Sequence, residues 1–197
     1  MRTGVLALQG DVPEHLAALG RGLGGLAPRP VRTPSDLEEI DALFLPGGES
    51  TSIARLLRDA GLWETLERRL RAGLPVLATC AGLILLAGHL EEGPSGPNPP
   101  TFGVLDVTVR RNDYGGQRES FEAPVRVQGL EGGDYPGVFI RAPRILKVGA
   151  KAEPFAWRDE EVVGVRQGPV WGLTFHPELS GDPRIHRRFL DAVSSPA

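Results

Sequence analysis

Apolar residues fall in short runs over the first half of the chain, and these runs alternate with amphipathic stretches. Residues 4–9 (GVLALQ) predict a buried strand, ended by Gly10 and Asp11. Residues 13–26 predict a helix, because Leu16, Leu19 and Leu23 recur at i, i+3 and i+7; glycines at 20, 22, 24 and 25 weaken its C-terminal end. Residues 28–32 predict a second short strand, residues 35–39 a short helix capped by Ser35, and residues 42–45 (ALFL) a third strand. The turn Pro46-Gly47-Gly48-Glu49-Ser50 leads into a helix with Ser50 or Thr51 as its cap. That helix carries Ile53, Leu56, Leu57, Trp63, Leu66 and Leu70 at helical spacing, and Gly61 is placed to break it in two. Residues 75–79 (PVLAT) predict a fourth strand, and a helix with Leu83, Ile84, Leu86 and Ala87 inside it opens directly after Cys80.

The second half has a different rhythm. Residues 91–101 (EEGPSGPNPPT) form a Pro- and Gly-rich loop. Beyond it, residues 103–110, 120–127, 137–140, 162–166 and 170–175 are strand-like and joined by short turns, so they extend one mixed sheet rather than begin a second core. A last helix over residues 183–193 sets Ile185, Phe189 and Leu190 against that sheet, and the Pro-Ala tail is left to fray. The expected architecture is an α/β single domain spanning residues 1–197. It is a flavodoxin-like three-layer sandwich whose central sheet is mixed but mostly parallel, with added antiparallel strands. In such sheets ligands sit beyond the C-terminal ends of the strands. Gln9, Gly47-Gly48 and Cys80 all fall at those ends, which points to one shared site.

Composition narrows the function classes. The 197 residues carry a net charge of -3 with no clustered basic excess, which argues against a nucleic-acid surface. The apolar run at the N-terminus is too short for a signal peptide, and no run approaches the roughly 20 apolar residues of a membrane span. The one cysteine cannot form an internal disulfide, which fits a reducing compartment, so a soluble cytoplasmic protein is expected. Nothing in the sequence asks for a metal or a cofactor.

The single cysteine lies in Ala78-Thr79-Cys80-Ala81-Gly82, where a strand turns sharply into a helix. A nucleophile elbow needs small neighbours, and a thiol at a helix N-terminus is favoured as thiolate. The Ala81 N–H is placed to donate to an oxyanion. A buried cysteine at a strand end would show the same spacing, so the elbow alone decides nothing. His176-Pro177-Glu178 follows the last predicted strand and reaches the same sheet edge, with His176 as base and Glu178 as the group that fixes its tautomer. The other histidines look weaker as bases: His15 on an early helix turn, His89 at a helix end, His186 on a solvated helix face. Gly47-Gly48 lets the backbone approach a ligand, and the Gly48 N–H is the candidate second oxyanion donor. Arg111 and Arg141 suit a carboxylate, and Glu49 an ammonium.

Taken together, GVLALQGDVPEH, LPGGESTSIARLL, ATCAGLILLA, DVTVRRNDYGGQRESFEA, GVFIRAPRI and GLTFHPEL resemble the class I, triad-type glutamine amidotransferases. More narrowly, they are similar to the glutaminase subunits of pyridoxal 5'-phosphate synthase, the PdxT family, over nearly the whole chain. The resemblance implies hydrolysis of L-glutamine through a thioester on Cys80, with Cys80, His176 and Glu178 as triad. It implies that Gly48, Glu49, Ser50, Arg111, Ile140 and Arg141 contact glutamine, Ile140 through its backbone. It further implies a synthase partner of the PdxS family that takes the ammonia for vitamin B6 synthesis in a large hetero-oligomer. Ala78 stands where amidotransferases commonly carry glycine. Competing readings are a glutaminase serving another synthase, a Cys-elbow protein of the DJ-1 or intracellular-protease type, and a non-catalytic subunit with a degenerate site.

Overall fold

The computed structural model describes residues 1–22, 27–93, 96–113 and 120–194. Strands β1 (Thr3–Leu6), β2 (Arg29–Val31), β3 (Ala42–Leu45) and β4 (Val76–Thr79) are linked by α1 (Val12–Gly22), by α2 (Pro34–Glu38), and by α3 (Ser50–Asp59) with α4 (Trp63–Arg71). Next come α5 (Ala81–Leu86), β5 (Ala87–Glu91), β6 (Leu105–Arg110), β7 (Ser120–Val127), β8 (Tyr135–Ile140), β9 (Arg144–Val148) and β10 (Glu153–Arg158). The chain closes with β11 (Glu161–Gln167), β12 (Val170–Leu173), a 3-10 turn (Pro177–Leu179) and α6 (Arg184–Ser194).

Nine strands form the main sheet in the order β2-β1-β3-β4-β12-β11-β10-β7-β8. From β2 to β12 every neighbour is parallel; from β12 to β8 every neighbour is antiparallel. The order β2-β1-β3-β4-β12 is the flavodoxin-like one, so the mixed α/β expectation holds, with the fifth parallel strand drawn from near the C-terminus. Because β4 and β12 run the same way, with Leu173 opposite Thr79, the residues that follow each strand emerge together.

Successive strand residues point to opposite faces, which sorts the core into two layers. Leu43 and Leu45 of β3 join Ile53, Leu57, Leu66 and Leu83 from α3, α4 and α5. Ala42 and Phe44 join Leu19 of α1 and Ile185, Phe189 and Leu190 of α6. Gly61, at φ +66, separates α3 from α4 as its position in the sequence predicts. Among the described residues, no helix is long and apolar enough to cross a membrane.

Several local expectations are corrected. Residues of the second half do not all extend one sheet: β5, β6 and β9 make a separate three-stranded sheet. Leu105, Val107, Val109 and Ile145 pack it onto the α3–α5 layer. Gly172 permits this approach, since a Cβ there would stand 2.6 Å from Leu83 Cδ1 and 3.0 Å from Leu105 Cδ1. β5 is hidden in the sequence because it leaves α5 with no break in the apolar run; Ala87 is extended at φ -59 and ψ 143. His89 therefore sits on an exposed strand, not a helix end. α2 is capped by Thr33 rather than Ser35, through a capping box in which Thr33 Oγ1 accepts from Asp36 N–H and Asp36 accepts from Thr33 N–H. α3 is capped by Glu49 rather than Ser50 or Thr51, its carboxylate accepting from the N–H groups of Thr51 and Ser52 at 3.3 and 2.7 Å. The end of the predicted first helix (23–26), two residues of the Pro-rich loop (94–95), much of the NDYGGQRES motif (114–119) and the tail (195–197) lie outside the described residues.

His186 is not on a solvated face. It is fully buried, stacked on Phe44 with ring centroids 5.6 Å apart, and edge-on to His15 at 5.7 Å. The apolar stripe of α6 is wide enough to include it beside Ile185, Phe189 and Leu190. Burial, and then His15, push its pKa down to about 3, and neither ring nitrogen has a hydrogen-bond partner. The unfolded chain takes up a proton near pH 6.5 while the folded chain does not. Stability should therefore fall as pH drops from about 6.5 toward 3, at up to about 1.4 kcal/mol per pH unit for this residue. Urea unfolding at pH 7.5 and 5.0 checks this: His186→Leu should show a shallower loss than wild type, and equal losses would exclude His186 as a source of acid sensitivity.

Candidate active site

Cys80 occupies the junction of β4 and α5 at φ 48 and ψ -104, a positive-φ conformation that costs a non-glycine residue strain. The surroundings hold it there. Its N–H donates to Leu173 O at 2.9 Å, and Ile84 N–H donates to its carbonyl at 3.3 Å. The small neighbours have a geometric reason: a Cβ on Gly82 would stand 2.4 Å from Leu45 O, so only glycine lets α5 close onto the end of β3. Ala78 and Ala81 are buried, and their small side chains fit beside the elbow. The Cys80 thiol faces Ile140 O at 3.9 Å.

His176 follows the last residue of β12, Leu173, by three positions, and its N–H is anchored to Val138 O at 2.8 Å. Its ring Nδ1 lies 2.8 Å from Glu178 Oε1 in the 3-10 turn, and both side chains are buried. A second carboxylate, Asp11 Oδ2, lies 3.2 Å from the same nitrogen. Nδ1 therefore carries a proton, and Nε2, which has no hydrogen-bond partner of ordinary geometry, is the nitrogen left for the sulfur. Burial disfavours the charged ring, but hydrogen bonding with Asp11, Cys80 and Glu178 outweighs it and raises the pKa to about 12. Burial also works against the Glu178 anion, yet His15 and His176 hold its carboxyl below the usual range. The result at neutral pH is a buried carboxylate–imidazolium pair beside the thiol.

A cavity of about 130 Å³ opens onto this group, lined by Asp11, Gly48, Glu49, Ser50, Cys80, Ile84, Arg111, Asn112, Ile140, Arg141 and His176. All six residues expected to contact glutamine, Gly48, Glu49, Ser50, Arg111, Ile140 and Arg141, stand on its wall. Glu178 lies behind His176, and Ala81 follows the nucleophile. A wider hollow of about 420 Å³ by Lys151, Arg166 and Trp171 is at the other end of β12, and no cysteine, serine, threonine or histidine lines it.

Two loops form the floor and are tied together. Gly10, at φ +100, presses on the glycine turn so closely that a Cβ would fall 1.8 Å from Gly47 O. Asp11 N–H donates to Gly47 O at 3.3 Å, and Glu49 N–H donates to Gln9 Oε1 at 2.9 Å. The charged wall is partly engaged already. Besides capping α3, Glu49 accepts from Arg111 at 3.4 Å, and Arg111 also donates to Pro97 O at 2.9 Å. Desolvation works against the Glu49 anion, but the capping N–H groups keep its carboxyl below the usual range. Asn112 and Arg141, both on the wall, hold positive φ at 49 and 43.

Sequence reasoning missed Asp11 and weighed His15 only as a weak base; the start of α1 delivers both, at positions i and i+4, to the histidine–glutamate pair. Asp11, His176 and Glu178 offer ligand atoms within 4.8 Å of one another, a spacing that could also suit a cation. The short Nδ1 hydrogen bonds and the raised pKa of His176 fit a proton there instead.

Over nearly its whole length the chain is similar to known proteins. The chain is 52% identical over 190 residues to pyridoxal 5'-phosphate synthase subunit PdxT of Streptomyces coelicolor, covering 96% of this chain and 92% of that one. It is 46% identical over 198 residues to the subunit of the same name from Pyrococcus furiosus, covering 98% and 99%. A crystal structure described as a glutamine amidotransferase superposes with a TM-score of 0.88 at 43% identity, over 99% of this chain and 100% of that one. The model of the SNO glutamine amidotransferase family matches residues 5–195, and with the cysteine elbow and buried histidine–glutamate pair in place, the chain belongs to that family.

Proposed function

We propose that this chain is the glutaminase subunit of a pyridoxal 5'-phosphate synthase, hydrolysing L-glutamine to L-glutamate and passing the ammonia to a PdxS-family synthase subunit. The observation that carries the reading is a single cavity where the one cysteine, at positive φ, meets a buried histidine–glutamate pair beside two arginines and a glycine turn. The name that the relatives bear supports the choice of synthase. The FIRAPRI motif supports it too, since it supplies Ile140 and Arg141 to the cavity. Residues 1–197 act as one domain, in the cytoplasm, within a hetero-oligomer.

Glutamine enters with its side-chain amide toward Cys80 and its α-carboxylate toward Arg111 and Arg141. Glu49 turns an oxygen to the ammonium, and Ser50 and the Ile140 backbone complete the grip. A cationic His176 favours the Cys80 thiolate, which attacks the amide carbon. The oxygen takes the negative charge and receives hydrogen bonds from the N–H groups of Gly48 and Ala81. As the C–N bond breaks, His176 gives its proton to the leaving nitrogen, which departs as ammonia and leaves a thioester. Neutral His176 then takes a proton from water as the water oxygen attacks the thioester. The C–S bond breaks, thiolate and imidazolium are restored, and the acid loses its proton to solvent as glutamate. Glu178 and Asp11 hold Nδ1–H throughout, so Nε2 makes each transfer.

The loops that carry Gly48 and Gln9-Gly10 are coupled, because they are hydrogen-bonded to each other. A synthase that docks against the first loop thereby sets the orientation of the Gly48 peptide. One oxyanion donor contributes about two to three orders of magnitude in rate. Ammonia release at saturating glutamine should rise by up to that factor when the synthase subunit is titrated in, while Cys80→Ala releases none. A glutamine-like electrophile should leave one adduct, on the peptide that contains Cys80. Turnover by Cys80→Ala would end the mechanism.

Two further outcomes separate the roles. Because Asp11 still accepts from Nδ1–H, Glu178→Gln should keep part of its activity, and Asp11→Asn with Glu178→Gln should lose more than the product of the single losses. A simple product would show that Asp11 does not share the proton. Arg141→Ala should raise KM for glutamine about tenfold, the effect of one charge-assisted hydrogen bond, at unchanged Tm. Wild-type glutamine kinetics in that variant would remove Arg141 from the substrate site.

A further inference from the structure

A buried titratable side chain beside the histidine–glutamate pair has no task in this mechanism. His15 is fully buried on the first turn of α1. Its Nε2 lies 3.2 Å from Thr79 Oγ1 and 3.5 Å from Glu178 Oε2. Glu178 Oε1 is engaged by His176, but Oε2 is buried with no hydrogen bond of ordinary geometry. Resting on the glutaminase reading, we infer that His15 is a positioning residue: its Nε2–H holds the second oxygen of Glu178 and so fixes that carboxylate against His176.

The position of the proton follows from the neighbours. A neutral imidazole carries one N–H and one lone pair. With the proton on Nδ1, a lone pair would face the Glu178 carboxylate, and a buried N–H would have no acceptor, because Nδ1 has no partner. With the proton on Nε2, the N–H has Thr79 Oγ1 at 3.2 Å and the Glu178 Oε2 anion close by at 3.5 Å, and only a lone pair is left unmatched. The second arrangement is the cheaper one. Thr79 directly precedes Cys80, so one ring spans the strand that carries the nucleophile and the turn that carries the acid.

The electrostatic surroundings agree. Glu178 faces His15 from the 3-10 turn, His176 from the segment before it, His186 from α6, Asp11 from the residue just before α1, and Glu14 from α1 itself. β3 and β4 present uncharged Phe44 and Thr79, β1 carries no titratable side chain, and Arg29 of β2 is paired with Glu39 at the surface. Burial outweighs the pull of Glu178 and keeps the His15 pKa below its ordinary value. His15 therefore donates as a neutral ring, and no third charge enters the pair.

The test uses Cys80 as its own reporter, since it is the only cysteine. The rate of its alkylation by iodoacetamide is followed against pH in wild type, His15→Phe and His15→Gln. Phenylalanine fills the site without a donor, so Glu178 should protonate at higher pH and release its hold on His176. The acid edge of the profile should move up by about one pH unit. With the synthase present, kcat for ammonia release should fall about tenfold while KM for glutamine stays. The glutamine side chain brings an N–H donor back and should restore the edge. A wild-type edge in His15→Phe, or a His15→Gln as impaired as His15→Phe with both melting like wild type, would overturn the inference. If His15→Phe does not fold, imidazole nitrogen-15 shifts of the wild type decide: an Nε2–H tautomer is expected, and Nδ1–H overturns it. Alkylation and shifts need no turnover, so absence of ammonia release by the wild type would remove the glutaminase reading and leave His15 to be decided by them.

Discussion

The site depends on the parallel pairing of β4 with β12. The two strands are distant in sequence, yet Val170 to Leu173 lie opposite Val76 to Thr79, and the Cys80 N–H makes the next bond to Leu173 O. The backbone of the nucleophile is thus part of the ladder that brings in the histidine. A one-residue slip would turn Trp171 and Leu173 to the wrong face of the sheet. The two core layers resist that slip, because Trp171 and Leu173 belong to the α1–α6 layer and Val170 to the other. Packing spread over the whole sheet therefore fixes a distance at one of its edges.

Around that edge, three buried histidines are held in different ways by their neighbours. His176 has two carboxylates on one nitrogen and is raised; His186 has none in contact and is lowered. His15 stands between, beside one carboxylate but more strongly affected by burial. Desolvation is common to all three, so the sign of each shift follows from how many acceptors the fold supplies. The start of α1 is central to this, since Asp11 directly precedes the helix and His15 lies in its first turn.

Strand–helix alternation made the parallel half of the sheet legible, because buried parallel strands are short and uniformly apolar and their helices show one apolar stripe. The cavity wall and the histidine–glutamate pair beside Cys80 were legible too, through motifs lying at strand C-termini. The antiparallel half was less so. β9 and β10 are short and partly exposed, so their alternation is weak, and β5 shares an unbroken apolar run with α5. His186 was misplaced because a helix between a sheet and solvent can bury a wider stripe than i, i+3 and i+4 suggest. Asp11 and His15 were passed over for a similar reason. Their neighbours come from elements remote in sequence: Asp11 meets His176 and His15 faces Glu178, both near the C-terminus of the chain.

Arg111 has one further consequence. Its guanidinium joins the carbonyl of Pro97, in the proline-rich connection, to the carboxylate that caps α3. Any occupant of the cavity that draws the guanidinium toward itself must compete with the Pro97 carbonyl. Thermodynamic reciprocity then requires that whatever grips or releases the connection change the occupant's affinity by the same factor. The outer loop and the inner pocket are two handles on one free energy.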